Sequence, residues 1–320
     1  MITSKFKKFG TATLAGLAIV ASASAHASQL SVDARSSIPK DVQQIIVVDY
    51  KVMQSSPAAM QLKDRVLPPE LKRLETALKT SGLKVDQDAD TLAFAAFRAP
   101  GADGSRILGV AQGQFHDQAI LASFTKQKTK PTVVRRTEIW PMGSAGMSVA
   151  FLNQTTMIFG DKEAVKSALD ARDGLIPNFL QNSDMMNEMA NVDQRPVWSL
   201  LDQKGTQTMM KGVLGQASQL ADFDTVKARL KSSRYTMDFS NGVKFDLAVV
   251  TADTMTAATA ATLMKGVMIL KQTSGTSLEK QAMNGTTIDS NSGTLTVDYS
   301  SSDTEFASLL GSPLFQQVVK

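Results

Sequence analysis

The sequence predicts an α+β protein of two tandem related halves, each an antiparallel sheet with helices packed on one face. Three observations lead there. Short apolar runs bounded by Gly, Pro, Asn and Asp alternate with longer amphipathic stretches. The order strand, helix, strand, strand, helix, strands, helix occurs twice, and the apolar content of 43% suffices for a core in each half. The repeated βαββαβ portion is the ferredoxin-like order, extended by extra strands and a final helix.

In the first half (42–175), residues 44–50 read as a strand. Ser56-Pro57 then opens a helical stretch with Met60, Leu67, Leu71, Leu74 and Leu78 on its apolar face, stopped at Gly82. Pro68-Pro69 should break or kink that stretch, since proline lacks the amide donor and clashes with the turn before it. Residues 91–98 and 106–114 form a hairpin pair around Pro100-Gly101-Ala102-Asp103-Gly104. A helix over 117–127 follows, then strands at 133–140, 147–152 and 155–159, and a helix over 161–172.

The second half (196–320) repeats the pattern. It has a strand at 197–201, a helix over 206–232, a hairpin over 234–251 turning at Asn241-Gly242, and a helix over 254–271. Strands at 286–288 and 294–299 and a helix over 303–310 complete it. Two local matches accompany the shared order: 47–51 (VVDYK) against 200–204 (LLDQK), and Asp161-Lys162-Glu163 against Asp303-Thr304-Glu305. The connecting segment 176–195, with Leu175 just before it, carries Ile176, Phe179 and Leu180 and should pack rather than flex.

The leader sets the expected location. Lys5, Lys7 and Lys8 precede an apolar run over 9–25, and small residues close it at Ala25-His26-Ala27. This is the pattern of a signal peptide over 1–27, cleaved between Ala27 and Ser28, followed by an N-terminal segment over 28–41. No Cys occurs, so neither a lipid-modified cysteine nor a disulfide is available. A periplasmic or secreted product is expected. The stretch 255–270 is too short to span a bilayer, carries Lys265, and reads as a well-buried helix, so no stable membrane insertion is expected after cleavage.

The pI of about 9.1 suggests a basic protein, but three of the 34 Lys and Arg and none of the 30 Asp and Glu lie in the leader. The exported chain is close to neutral, without the dense basic stripe of a nucleic-acid binder.

Gly113-Gln114-Phe115 before a helix, together with the run 149–152 (VAFL) leading through Gly160-Asp161 to 164–170 (AVKSALD), resembles uncharacterised exported proteins of environmental bacteria that share a domain of unknown function. The resemblance covers about residues 40–175. It implies an envelope location and carries over no activity and no site residue.

Candidate chemistry is sparse. His116 is the one histidine left after the leader, which excludes Cys-His chemistry and multi-histidine metal sites. It has no Gly-x-Ser-x-Gly elbow to serve, since 142–146 reads Met-Gly-Ser-Ala-Gly, and its place before a helix suits a cap or a surface side chain. Asp86, Asp88 and Asp90 alternate like the start of a calcium loop, but Thr91 and Phe97 stand where that loop needs Gly and Glu. Met185, Met186 and Met189 offer soft ligands to copper, yet their spacing also marks the buried edge of a short helix. Asp49-x-Lys51 and Asp202-x-Lys204 follow a strand in each half, where a shared capping role outweighs catalysis. Met60, Met209, Met210, Met264 and Met268 on the long helices suit either a core or a groove for an apolar ligand.

No catalytic, cofactor or metal residue is therefore assigned. The expected function is a non-catalytic binding or interaction module of the cell envelope, with an unknown protein or a small apolar ligand as partner. The alternatives are a carrier of lipid or another apolar ligand in a cleft and a carboxylate-dependent hydrolase.

Overall fold

The computed structural model describes residues 29–66, 72, 76, 85–98, 105–142, 146–215 and 223–311 of the 320-residue chain. The expected leader and Ala27–Ser28 cleavage site, Pro68-Pro69, the expected turn at 100–104, the 143–145 part of the Gly-Ser-Ala-Gly run and residues 216–222 lie outside the described residues. Within them the helices are α1 (Val32–Ser37), α2 (Tyr50–Gln54), α3 (Pro57–Val66), α4 (Val85–Asp88), α5 (Asp117–Lys126), α6 (Lys162–Arg172) and α7 (Ser183–Met189), then α8 (Gln203–Leu214), α9 (Phe223–Ala228), α10 (Thr254–Ser274), α11 (Ser277–Asn284) and α12 (Asp303–Leu310). The strands of the first half are β1 (Val42–Asp49), β2 (Ala89–Arg98), β3 (Ser105–Gly113), β4 (Thr132–Val134), β5 (Thr137–Met142), β6 (Met147–Phe151) and β7 (Thr156–Asp161). Those of the second are β8 (Val197–Leu201), β9 (Leu230–Asp238), β10 (Val243–Thr251), β11 (Thr286–Asn291) and β12 (Thr294–Ser301).

All twelve strands form one antiparallel sheet in the order β11-β12-β10-β9-β8-β1-β2-β3-β7-β6-β5-β4. The halves meet where β1 pairs antiparallel with β8, Ile45 opposite Leu200 and Val47 opposite Trp198. Outward from this joint the two strand orders match: β1-β2-β3-β7-β6 on one side, β8-β9-β10-β12-β11 on the other. The α+β class and the antiparallel sheet hold, but two separate ferredoxin-like sheets are replaced by one continuous sheet of a different order. The physical reason is local pairing. β1 pairs with the next strand in the chain, β2, and β8 with β9, where the ferredoxin-like order sets the first strand beside the third.

Period-two alternation sends side chains to two faces, and both are used. On one face Ile45, Val47, Ala93, Ala95, Phe97, Leu108, Val110, Ile158, Trp198 and Leu200 pack against α1, α6, α7 and Phe179 of the connecting segment. Phe179 is fully buried and its amide donates to the Ile38 carbonyl, so the connection packs as expected, although Leu175 and Leu180 point outward. On the other face lie three clusters: Phe115, Ile120 and Phe124 over β3, β5 and β7; α2, α3 and α12 over the centre; and α8, α9 and α10 over the second half.

The halves differ in how they are clothed. In the second half the face of the sheet shared with α1 and α6 carries Lys244, Asp246, Asp298, Thr287 and Asp289, all exposed. α6 and α12, which follow equivalent strands, pack on opposite faces, and their starts are offset. Asp161 itself caps α6, accepting from the Ala164 amide at 2.8 Å, whereas Ser302, the residue before Asp303, caps α12. The expected equivalence of Asp161 and Asp303 is thus off by one residue. The expected helix over 206–232 ends earlier, because β9 already begins at Leu230, and the expected single strand at 133–140 is the hairpin β4–β5.

Candidate interaction surface

α10 follows the hairpin β9–β10 and starts at Asp253, whose carboxylate accepts from the Thr256 amide (2.8 Å) and hydroxyl (3.1 Å) and pairs with Arg229. These bonds hold the Asp253 carboxyl below its ordinary range, the Thr256 amide contributing most. Twenty-one residues make a helix about 31 Å long. Its inner face is Thr256, Ala257, Ala260, Ala261 and Met264, and the small side chains let it lie close on β10, β11 and β12.

The outer face is unusual for a solvent-facing helix. Met255 is 79% exposed, Ile269 56% and Leu270 58%. Ala258, Thr259, Thr262, Gly266 and Thr273 occupy the same stripe by helical spacing and are exposed; none of these eight is charged, and the exposed Lys265, one turn from Thr262 and Ile269, borders the stripe. The threonine hydroxyls turn back onto the helix: Thr259 donates to the Met255 carbonyl (2.9 Å), Thr262 to Ala258 (2.9 Å) and Thr273 to Ile269 (3.0 Å). Their donors are spent on the helix's own carbonyls, which leaves methyl groups facing outward. Gly266 sits mid-stripe, and a Cβ added there would meet nothing within 4 Å among the described residues, so no described neighbour requires glycine at this position. Relative to Ala it costs the helix about 1 kcal/mol.

A second feature is a cleft of about 240 Å³ between α11, β12 and α12, lined by Gln281, Gly285, Tyr299, Ser301, Glu305 and Leu309 among others. Its polar groups are largely committed. Gln281 donates to Glu305 Oε1 at 2.7 Å, and Glu305 Oε2 accepts from the Ser302 amide and hydroxyl, both at 2.9 Å. Those bonds lower the Glu305 pKa, while burial raises that of the Tyr299 phenol.

The residues singled out by sequence do not converge. His116 is exposed ahead of α5 and makes no capping bond. Asp90 pairs with Lys51, and among the described residues no group of three or more His, Cys, Asp or Glu is placed to hold a metal ion. Met185 and Met189 are buried against the central sheet with Met186 packed beside them. Asp49 and Asp202 cap α2 and α8, accepting from the Val52 (2.9 Å) and Gly205 (2.7 Å) amides, which is the shared structural role their positions suggested. Met210 and Met264 are buried and Met209 and Met268 pack against the same cluster, so these side chains serve the core. The 255–270 stretch is a helix, but it is half exposed rather than well buried. Among the described residues no helix is long and apolar enough to cross a membrane.

The fold and surface together define a large antiparallel α+β protein with a largely uncharged helix face, bordered by Lys265, at one end of its sheet. Neither a family model nor a curated protein matches the chain. Among solved structures, crystal form I of TP0453 is similar at a TM-score of 0.48 and 8% identity, covering 88% of this chain and 97% of that one. Crystal form III matches at 0.48 and 11%, covering 89% and 100%.

Proposed function

We propose that this chain is an exported, non-catalytic interaction module of the cell envelope, built from two duplicated halves, that contacts a protein partner through the outer face of α10. The observation that carries the contact is the exposed row of uncharged side chains from Met255 to Thr273, with Lys265 at its edge. A helix face with a single exposed cation, Lys265, at its edge, back-bonded threonines and a glycine that no described neighbour requires has no packing role among the described residues, and suits close approach by another apolar surface. Export rests on the leader and its Ala27–Ser28 site, in keeping with the resemblance to exported bacterial proteins. Duplication is supported by the matching strand orders on either side of the β1–β8 joint.

Both alternatives have less in their favour. A cleft of about 240 Å³ is smaller than the roughly 300–1,000 Å³ of ordinary ligand pockets, and an acyl chain needs a longer apolar tunnel. For a hydrolase, Asp49 and Asp202 are occupied as caps, and the directly opposed Asp246 and Asp298 stand on an open sheet face.

The test is site-specific photocrosslinking in the native envelope, with the probe at Leu270 and, as control, at the equally exposed Leu175. A defined adduct from Leu270, lost on Gly266→Leu, is the expected result. Equal or absent adducts from the two positions would sink the proposal, and a non-protein mass retained in native mass spectrometry would favour the carrier.

A further inference from the structure

At the far end of the sheet from α10, the chain concentrates positive charge in a conformation that ill suits it. β4 and β5 are joined by the two-residue loop Arg135-Arg136, with φ of +45° and +71°. This is the left-handed pair for which Asn-Gly is the natural choice. The comparable loop between β11 and β12, Ser292-Gly293, does place glycine second. Lys128, just after α5, also has a positive φ of +58°. Three of the four non-glycine residues with positive φ among the described residues are therefore cations within one nine-residue span. Side chains held in such backbone conformations point to a role other than stability.

The span 126–136 contains Lys126, Lys128, Lys130, Arg135 and Arg136 and no acid. Arg135 is anchored to the end of α6, donating to Asp170 (2.6 Å) and Asp173 (2.8 Å), and those carboxylates raise its pKa. Asp173 also accepts from Arg172, which fixes the base of the hairpin. The other four cations are exposed and have no ion pair among the described residues. Val133, 64% exposed, lies among them, with Glu138 opposite it in register as the nearby exposed acid.

We propose that this hairpin and the loop before it dock the protein, tip first, on an anionic lipid surface. β4 is the last strand of the sheet, which sets the hairpin at its outer edge, where a flat surface can meet it. Four exposed cations around one exposed valine match a headgroup layer, which asks for charge and shallow apolar contact rather than a shaped pocket. Because the exported chain is close to neutral, the attraction is local and orients the molecule. Docking at β4 leaves α10, which packs on β11 and β12, about 50 Å away along the sheet and free to meet its partner.

The experiment is flotation of the purified protein with phosphatidylcholine vesicles, with and without 30% phosphatidylglycerol. Each cation near such a surface is worth about fivefold in partitioning. The triple variant Lys126→Gln/Lys130→Gln/Arg136→Gly should therefore lose about 100-fold on anionic vesicles, while Lys231→Gln/Lys280→Gln stays within twofold. Thermal melts establish that the triple variant folds, and Arg136→Gly relieves the left-handed strain. Leu270→Glu should leave vesicle binding unchanged, which separates this proposal from the α10 reading. Equal binding to neutral vesicles, or an unaffected triple variant, would overturn it. So would poly-glutamate binding as tight as vesicle binding, which would assign the tip to an acidic protein segment instead.

Discussion

Gly109 on β3 offers the sharpest test of the packing. A methyl group there would lie 1.8, 2.2 and 2.4 Å from three ring carbons of Phe159, where ordinary contact needs more than 3.4 Å. Phe159 is 2% exposed and lies edge-on to Phe94, centroids 6.0 Å apart, so its ring cannot retreat by the roughly 1.5 Å required without displacing a second aromatic. Gly109→Ala should cost about 1–3 kcal/mol of overpacking. In a Phe159→Ala background, itself destabilised by about 3–5 kcal/mol, the sign should invert. Ala is better than Gly inside a strand by about 0.5–1 kcal/mol once the ring is gone. Urea denaturation of the four proteins in this double-mutant cycle measures the coupling. Equal effects of Gly109→Ala in the two backgrounds would refute the stated contact.

Three other outcomes are expected. Asp49→Ala and Asp202→Ala should each cost about 1 kcal/mol as lost N-caps and add when combined, whereas Asn at either position should retain most of the stability. Asp298, its pKa raised first by partial desolvation on the sheet face and then by Asp246 beside it, binds its proton more tightly folded than unfolded. Its contribution is therefore fully present below the ordinary carboxylate pKa and lost as pH rises through the raised one. Asp298→Asn should raise the melting temperature at pH 7 and leave it unchanged near pH 3, as calorimetry across pH would record. Gly266→Ala should stabilise α10 by about 1 kcal/mol in urea denaturation, since nothing among the described residues meets the added methyl.

What could be read from sequence followed the range of the interaction. Hairpins and capped helices depend on neighbours in the chain, so β9–β10 with its turn at Gly242, α5, α6 and α12 fell close to their expected places. Strand order depends on which edges meet in space. Nothing within the 44–50 run announces that Gln44 will face Leu201, 157 residues on, or that β1 will take β2 rather than β3 as its other neighbour, and there the structure departs from the ferredoxin-like expectation. The α10 face was concealed because Thr and Gly count as neutral in a pattern of apolar residues. Only the hydroxyl geometry reveals how little polarity they present. The basic hairpin was concealed by averaging. A chain whose total charge nearly cancels can still gather five cations in eleven residues, and the left-handed Arg135-Arg136 pair becomes visible only as backbone angles.

The β1–β8 joint also governs the order in which the protein can assemble. β1 is the first strand made, and β2 covers one of its edges early, Ile45 against Ala95. Its other edge, with Ile46 and Val48 along the same strand, stays open until residues 197–201 have emerged. Throughout that interval the nascent first half carries an unpaired apolar edge at what will become the middle of the sheet, and any second nascent copy offers the same edge in return. The strand that unites the finished molecule is thus its greatest hazard while unfinished, and a chain truncated before residue 197 should self-associate where the complete chain does not.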